Sequence, residues 1–263
     1  MASRSLLTRG AAATRQQLGR SSIAGPSRVR LSSTVASLAY TRDTAGESGA
    51  AEPPAATAST PQLSPHDREL LTRMLRVDHA GEVAANTIYE AQARVFGRMG
   101  DPKTEKLMLE MWETEKKHLA VVRQLLQQHR VSPSKLMPLW SAAGSLLGGV
   151  TALLGKEAAM ACTEAVETVI GEHYDDQLVH LRTLTETPAA SASAATQTTA
   201  SGEPALHPSL PLLADVITEF RDDELEHLDT AVEHDAQMAP AHALLSAVVG
   251  WGCRGAIAIA GRV

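Results

Sequence analysis

Aromatic side chains are scarce in this 263-residue chain. Three tryptophans, three tyrosines and two phenylalanines make up 3% of it, although hydrophobic residues reach 44%. The apolar content is mostly alanine, leucine and valine. That suits packed helices better than strands, which favour β-branched and aromatic side chains. Cysteine is sparse too. Cys162 and Cys253 are too few for a disulfide framework, and neither has a nearby thiol to complete a thiolate metal site. Both are expected as buried thiols behaving like small hydrophobes.

Acid is missing from the first 42 residues, where seven arginines and no lysine occur. Removing those seven charges from the formal −6 leaves −13 on the remainder. An acidic folded part excludes nucleic acid as a partner. An Arg-, Ser- and Ala-rich, acid-free start is the composition of a mitochondrial transit peptide, expected over 1–42. Residues 43–63, rich in Ala, Pro, Ser and Thr, read as a disordered linker. The domain is expected over 64–263, with a low-complexity, disordered insertion at 187–208.

Within that domain the punctuation predicts helices. Ser64-Pro65 supplies a capping residue and a proline for a first helical position, opening a helix to about Gly97. Gly97–Pro102 must turn. A second helix follows from about Lys103 to His129, a third from Lys156 to Glu186 and a fourth from Ser209 to Gln237. Between the second and third, the twenty residues Leu136–Gly155 carry no charge. Pro138 and the four glycines among them point to a membrane-surface or re-entrant helix rather than a true span. After Pro240 a last apolar helix runs over 241–260.

Two of the four helices repeat one pattern: Glu115-Lys-Lys-His118 and Glu224-Leu-Glu-His227. A spacing of three residues puts both side chains on one helical face. One E-x-x-H on each of two helices, with one glutamate on each of the other two, is the ligand set of carboxylate-bridged di-iron and di-manganese bundles. Equal depth locates the remaining glutamates. The midpoint of Glu82 and Glu115 falls between Arg98 and Met99, inside the predicted turn. That of Glu167 and Glu224 falls between Ala195 and Thr196, inside the insertion. Glu82 is followed by Tyr89 and Gln92 at the same offsets at which Tyr174 and Gln177 follow Glu167, so the chain reads as two related helix pairs. Nearby Glu113, Glu164, Glu172, Asp222, Asp223 and Glu226 are expected at the surface or behind the ligands, and His79 as a structural histidine or one behind the ligands. Hard carboxylates with imidazoles suit two iron ions, with manganese possible on geometry alone.

At these residues the sequence resembles the 5-demethoxyubiquinone hydroxylase family of ubiquinone biosynthesis. The resemblance is carried by Arg76-Val-Asp-His-Ala-Gly-Glu82, Met111-Trp-Glu-Thr-Glu-Lys-Lys-His118, Leu136-Met-Pro-Leu-Trp140, Thr151-Ala-Leu-Leu-Gly-Lys-Glu157, Ala161-Cys-Thr163 through Glu167, and Phe220-Arg-Asp-Asp-Glu-Leu-Glu-His227. It implies an all-α, ferritin-like four-helix di-iron bundle with added membrane-associating helices. The implied activity is a monooxygenase that uses O2 and NADH to hydroxylate the ring of a polyprenyl quinone precursor, the penultimate step of the pathway. The implied ligands are Glu82, Glu115, His118, Glu167, Glu224 and His227. His173 and Tyr174 match a His-Tyr pair linked to reduction of the irons. The resemblance further implies a peripheral position on the matrix side of the mitochondrial inner membrane and a biosynthetic complex with a lipid-binding carrier subunit; a homo-oligomer is possible too. A ferritin- or rubrerythrin-like ferroxidase and a non-catalytic quinone-binding scaffold are the competing readings. The first lacks a use for 136–155; the second lacks a use for six inward polar groups.

Overall fold

A computed structural model describes residues 36–41, 55–186 and 209–263. Among them there are helices and no strands. They comprise α1 (Leu38–Thr41), α2 (Pro65–Met99), α3 (Pro102–Gln128), α4 (Met137–Leu153), α5 (Lys156–Glu186), α6 (Ser209–Glu233), a 3-10 turn at Ala236–Met238 and α7 (His242–Ala260).

The Ser64 hydroxyl caps α2 by accepting from the Asp67 N–H at 3.2 Å, with Pro65 in the first turn. The helix runs through Gly97 and stops at Gly100, whose φ of 77° lies where only glycine sits without strain. Asp101 then caps α3 through the Thr104 N–H at 3.1 Å. The turn is thus tighter than the glycines alone suggested. The fourth bundle helix likewise ends earlier than expected, at Glu233, and the 3-10 turn fills the gap to Pro240.

α2 pairs with α3, and α5 pairs with α6. These two hairpins form the four-helix bundle, joined by α4, which lies along α2. α7 lies along α5 in the corresponding place. Each half therefore contains a long helix, a partner helix and an outer apolar helix, extending the repeat seen in the sequence. One interior cluster holds Leu71, Leu125, Leu181 and Leu213; another holds Tyr89, Phe96, Met108 and Met160.

α4 approaches α2 closely through two small residues. A Cβ built on Gly144 would meet the Ala84 carbonyl oxygen at 2.5 Å, and one on Gly148 would meet the Ile88 Cα at 2.8 Å. The opposite side of α4 leaves Leu146, Val150 and Leu153 exposed, as α7 leaves Leu244, Val248 and Trp251. α4 has 17 residues, about 25 Å of helix, short of a bilayer core of about 30 Å. α7, with 19 residues, is long and apolar enough to cross by length and composition, and only 17% of its most apolar window is buried.

Parts of the expected presequence and linker pack on the bundle. Tyr40 is buried in the core cluster, its hydroxyl donates to Gln128 Oε1 at 2.6 Å, and its carbonyl accepts from the Gln124 amide at 2.7 Å. Gln128 also donates to the carbonyls of Ala55 and Ala58. The rest of the 1–42 and 43–63 expectations, and the 187–208 insertion, lie outside the described residues.

Candidate metal centre

The four bundle helices bring Glu82, Glu115, His118, Glu167, Glu224 and His227 into one layer, and all six are buried. They form two overlapping groups. Glu82, Glu115, His118 and Glu224 each offer one ligand atom, all within 4.8 Å of one another. Glu115, Glu167, Glu224 and His227 do the same. Glu82 faces the Glu115/His118 pair and Glu167 faces the Glu224/His227 pair, as equal depth predicted. Glu115 and Glu224 belong to both groups.

The histidines turn Nδ1 inward. His118 Nδ1 lies 3.3 Å from Glu224 Oε1 and 3.8 Å from Glu82 Oε2. His227 Nδ1 lies 3.1 Å from Glu115 Oε1 and 3.3 Å from Glu224 Oε2. Phe220 stacks on the His118 ring at 4.1 Å between centroids, and Tyr89 meets the His227 ring edge-on at 5.8 Å. Asn86 ties α2 to α3 at the same depth: its amide donates to the carbonyls of Glu82 (2.9 Å) and Glu115 (2.8 Å), and its oxygen accepts from Trp112 Nε1 at 3.1 Å.

The residue set fits two cations. Buried polar atoms in proteins are nearly always hydrogen-bonded, yet Glu82 Oε2, both Glu115 oxygens, Glu224 Oε2 and both inward Nδ1 atoms have no hydrogen-bond partner. Four carboxylates balance two divalent ions. Asp223 accepts from the outer His118 Nε2 at 3.1 Å, which sets the tautomer that leaves Nδ1 bare for a metal. Alanine at Asp223 is expected to weaken metal binding by roughly 10–100-fold while leaving two ions per chain at saturation. Titration of the metal-free protein with ferrous iron measures this.

Two tyrosines cross between the halves. Tyr89 of α2 donates to Glu167 Oε1 of α5 at 2.6 Å, and Tyr174 of α5 donates to Glu82 Oε1 of α2 at 2.8 Å. Burial, then the facing carboxylate, pushes both phenols well above their usual range, so both remain donors. The residues seven positions after each lone glutamate thus orient the opposite glutamate. Tyr89 was visible in the sequence as part of the repeat; its role at the centre was not.

The protons of the metal-free centre follow from the crowding. Burial lifts the carboxyls of Glu82 and Glu167 well above the usual range, and that of Glu115 above it, with neighbouring carboxylates adding to the rise. Glu224 is the exception: burial opposes its ionisation, but the close positive charges of His118 and His227 hold it at about 2. Burial pulls the histidines down, but the Asp223 bond and the neighbouring Glu224 carboxylate carry His118 well above its usual value, and the neighbouring Glu115 and Glu224 carboxylates carry His227 to about 11. Glu82, Glu115, Glu167, His118 and His227 therefore bind protons more tightly folded than unfolded. Their contribution is present in acid and is lost as pH rises from their unfolded values through their folded ones. Glu224 opposes this only between about 4.5 and 2. Metal-free protein is expected to lose thermal stability from mildly acid to alkaline pH, and metal-loaded protein to lose it toward acid, where its ligands protonate. Melting curves with and without chelator test the crossing.

The remaining acids fall where expected. Glu113 pairs with Lys116, Glu172 with Arg254 and Asp222 with Arg221. Glu164 pairs with His242 at 2.6 Å, and Glu226 is exposed. His79 is buried on α2 and joins neither ligand group. His173 joins neither as well.

A cavity of about 530 Å3 opens beside the layer. Glu82, Glu115, Glu167 and Glu224 form its floor; Trp140 and Leu147 of α4 and Trp251 and Ile257 of α7 are among its apolar walls. His173, Tyr174 and Asp78 line it too. Cys162 is fully buried, as expected. Cys253 is only half-buried and lines the cavity, because α7 turns that face toward the space over α5. Burial raises the thiols to about 12 and about 11 respectively, so neither is an activated nucleophile.

Comparison with known proteins matches the sequence to one family. The chain is 44% identical over 198 residues to the Bos taurus protein named NADPH-dependent 3-demethoxyubiquinone 3-hydroxylase, mitochondrial, covering 75% of this chain and 80% of that one. It is 40% identical over 149 residues to the Saccharomyces cerevisiae 5-demethoxyubiquinone hydroxylase, mitochondrial, covering 57% and 63%. The Rhodospirillum rubrum 3-demethoxyubiquinol 3-hydroxylase is 45% identical over 113 residues, covering 43% and 52%. A family model described as ubiquinone biosynthesis protein COQ7 matches residues 69–260, which hold all six clustered glutamates and histidines, and the chain belongs to that family.

Proposed function

We propose that this chain is a di-iron monooxygenase that hydroxylates the ring of a demethoxyubiquinone or its quinol, the penultimate step of ubiquinone biosynthesis, with O2 and a reduced nicotinamide nucleotide as co-substrates. The relatives' names supply the substrate class, and most of them specify NADPH as donor. NADH remains the donor implied by the sequence resemblance. The observation that carries the reading is the placement of a six-ligand carboxylate–histidine layer on the floor of an apolar cavity.

Glu82, Glu115 and His118 with Glu224 would hold one ion, and Glu167, Glu224 and His227 with Glu115 the other. When bound, such a pair supplies two-electron activation of O2. The protein's own residues do the rest. Tyr174 and Tyr89 orient Glu82 and Glu167, and the walls from α4 and α7 exclude water from the ring. His173 stands in the cavity wall beside Tyr174, where reducing equivalents would arrive. The polyprenyl tail would leave between α4 and α7, whose exposed leucines, valines and Trp251 form an apolar patch of the kind that meets a lipid surface. The proposed location is peripheral, on the matrix side of the mitochondrial inner membrane, after import directed by residues within 1–42. A lipid-binding carrier subunit would deliver the substrate there.

The test is iron content joined to turnover. Purified protein should hold about two irons per chain and convert a demethoxyquinone analogue to its hydroxylated ring when given O2 and the nicotinamide. Iron-loaded protein that oxidises ferrous iron but leaves the ring untouched would favour the ferroxidase reading instead.

A further inference from the structure

Two metal positions on a doubled scaffold would be equal if everything around them were doubled as well. The ligands are: each position takes one lone glutamate, one histidine and both shared glutamates. The crossing tyrosines are too, since Tyr174 holds Glu82 and Tyr89 holds Glu167. Neither feature separates the positions.

The groups behind the ligands are not doubled. The outer His118 Nε2 donates to Asp223 Oδ2 at 3.1 Å, and Phe220 stacks on the same ring. Asp223 precedes Glu224 as Thr114 precedes Glu115, so the counterpart of this acid in the other half is a threonine. His227 pairs with carboxylates through its inward Nδ1 alone among the described residues. On α2 the Asn86 amide donates to the carbonyls of Glu82 and Glu115. By the offset that carries Glu82 to Glu167, its counterpart on α5 is Gly171. A Cβ added at Gly171 would meet Leu225 Cδ2 at 3.8 Å and no polar group. Both extra supports thus fall on the side of Glu82 and His118.

From this asymmetry we infer that the two positions are unequal: the one formed by Glu82 and His118 with the shared glutamates holds its ion more tightly, and the one formed by Glu167 and His227 fills last and empties first. A carboxylate on the outer N–H of a ligating imidazole fixes the ring and makes its inward nitrogen a stronger electron-pair donor. Such partners are worth roughly 10–100-fold in metal affinity, which sets the expected gap between the positions. Ligands already tied in place by Asn86 also lose less freedom when an ion arrives. A chain holding one ion is therefore filled at Glu82 and His118. Two-electron oxygen chemistry needs both ions, so the weaker position sets the ferrous iron concentration at which the chain becomes competent.

The inference rests on the metal-centre reading, and binding measured without turnover tests the two separately. Shared glutamates couple the ions, so affinities are compared in full-length proteins that keep one position each. Glu167→Ala keeps the Glu82/His118 position, and Glu82→Ala keeps the other. Each metal-free protein is titrated anaerobically with ferrous iron against a chromophoric chelator. Glu167→Ala should bind its ion about 10–100-fold more tightly than Glu82→Ala. Adding Thr114→Asp to Glu82→Ala supplies the missing carboxylate and should tighten that ion by about tenfold or more. Adding Asp223→Asn to Glu167→Ala should weaken its ion by a similar factor. Thr114 and Asp223 are both partly exposed, so neither change disturbs the core. Equal affinities in the first pair overturn the inference, as does a gap that neither second change moves. Should a glutamate variant lose native helicity, wild type and Asp223→Asn alone carry the test: wild type fills in two resolved steps, and the variant draws them together. Wild type that binds no ferrous iron overturns the metal-centre reading itself.

Discussion

Alanine at Glu115 or Glu224 is expected to empty both metal positions at once, whereas alanine at Glu82 or Glu167 empties one. The expectation follows from the overlap of the two ligand groups: Glu115 and Glu224 occur in both, Glu82 and Glu167 in one each. Metal content should fall from about two ions per chain to near zero for the shared pair, and to about one for the others. Hydroxylation should be lost in all four, since two-electron oxygen chemistry needs both ions. Loss of the fold would mimic this result, but the direction of the metal-free stability separates them. Glu115 is a buried carboxyl that burial and Glu224 already push toward protonation. Removing it relieves crowding, so the metal-free variant should melt no lower than metal-free wild type, apart from the effect of the space it leaves. Elemental analysis with paired melting curves reads both quantities. Two ions retained in Glu115→Ala would show that Glu115 is not shared.

A side chain at Gly148 is expected to be the most damaging single change outside the metal layer. The α4–α2 contact is backbone on backbone there: the added Cβ meets the Ile88 carbonyl oxygen and lies 2.8 Å from its Cα. Neither can rotate away, so α4 must lift. Ile88 precedes Tyr89, whose hydroxyl holds Glu167, and α4 forms one wall of the cavity. Gly148→Leu should cost about 1–3 kcal/mol or more from overpacking, or roughly 5–10 °C in melting temperature for a chain of this size. It should also lower turnover by opening the cavity to water. Gly149→Ala is the matched control. It lies next door on the same helix, and its added Cβ meets nothing within 4 Å. That change should be neutral or slightly stabilising, because alanine is the better helix former. Equal losses in the two variants would mean that flexibility of α4, not its seat on α2, is the requirement.

The helix pattern was legible because its signals are local. Ser64-Pro65, Gly100-Asp101-Pro102 and the Ser132-Pro133 break act through capping, backbone freedom and missing N–H groups within a few residues. The apolar character of α4 and α7 was equally plain. Their seating was not, since it depends on where Gly144 and Gly148 meet another helix. Tyr40 and Ala58 show contacts that composition does not encode. They sit in composition-biased stretches that read as presequence and linker, yet both are buried, because glutamine side chains of α3 capture the backbone beside them.

The sequence by itself determined which six side chains converge. A spacing of three on a helix and equal distance from a turn are consequences of helical geometry, and no tertiary contact is needed to compute them. Only the tertiary structure decided how the six are shared, which tyrosine holds which glutamate, and that Asp223 and Asp78 stand where they do. Those relations cross between helices far apart in the chain. Their distances are set by how side chains pack between the two hairpins, a quantity that no periodicity within one helix contains.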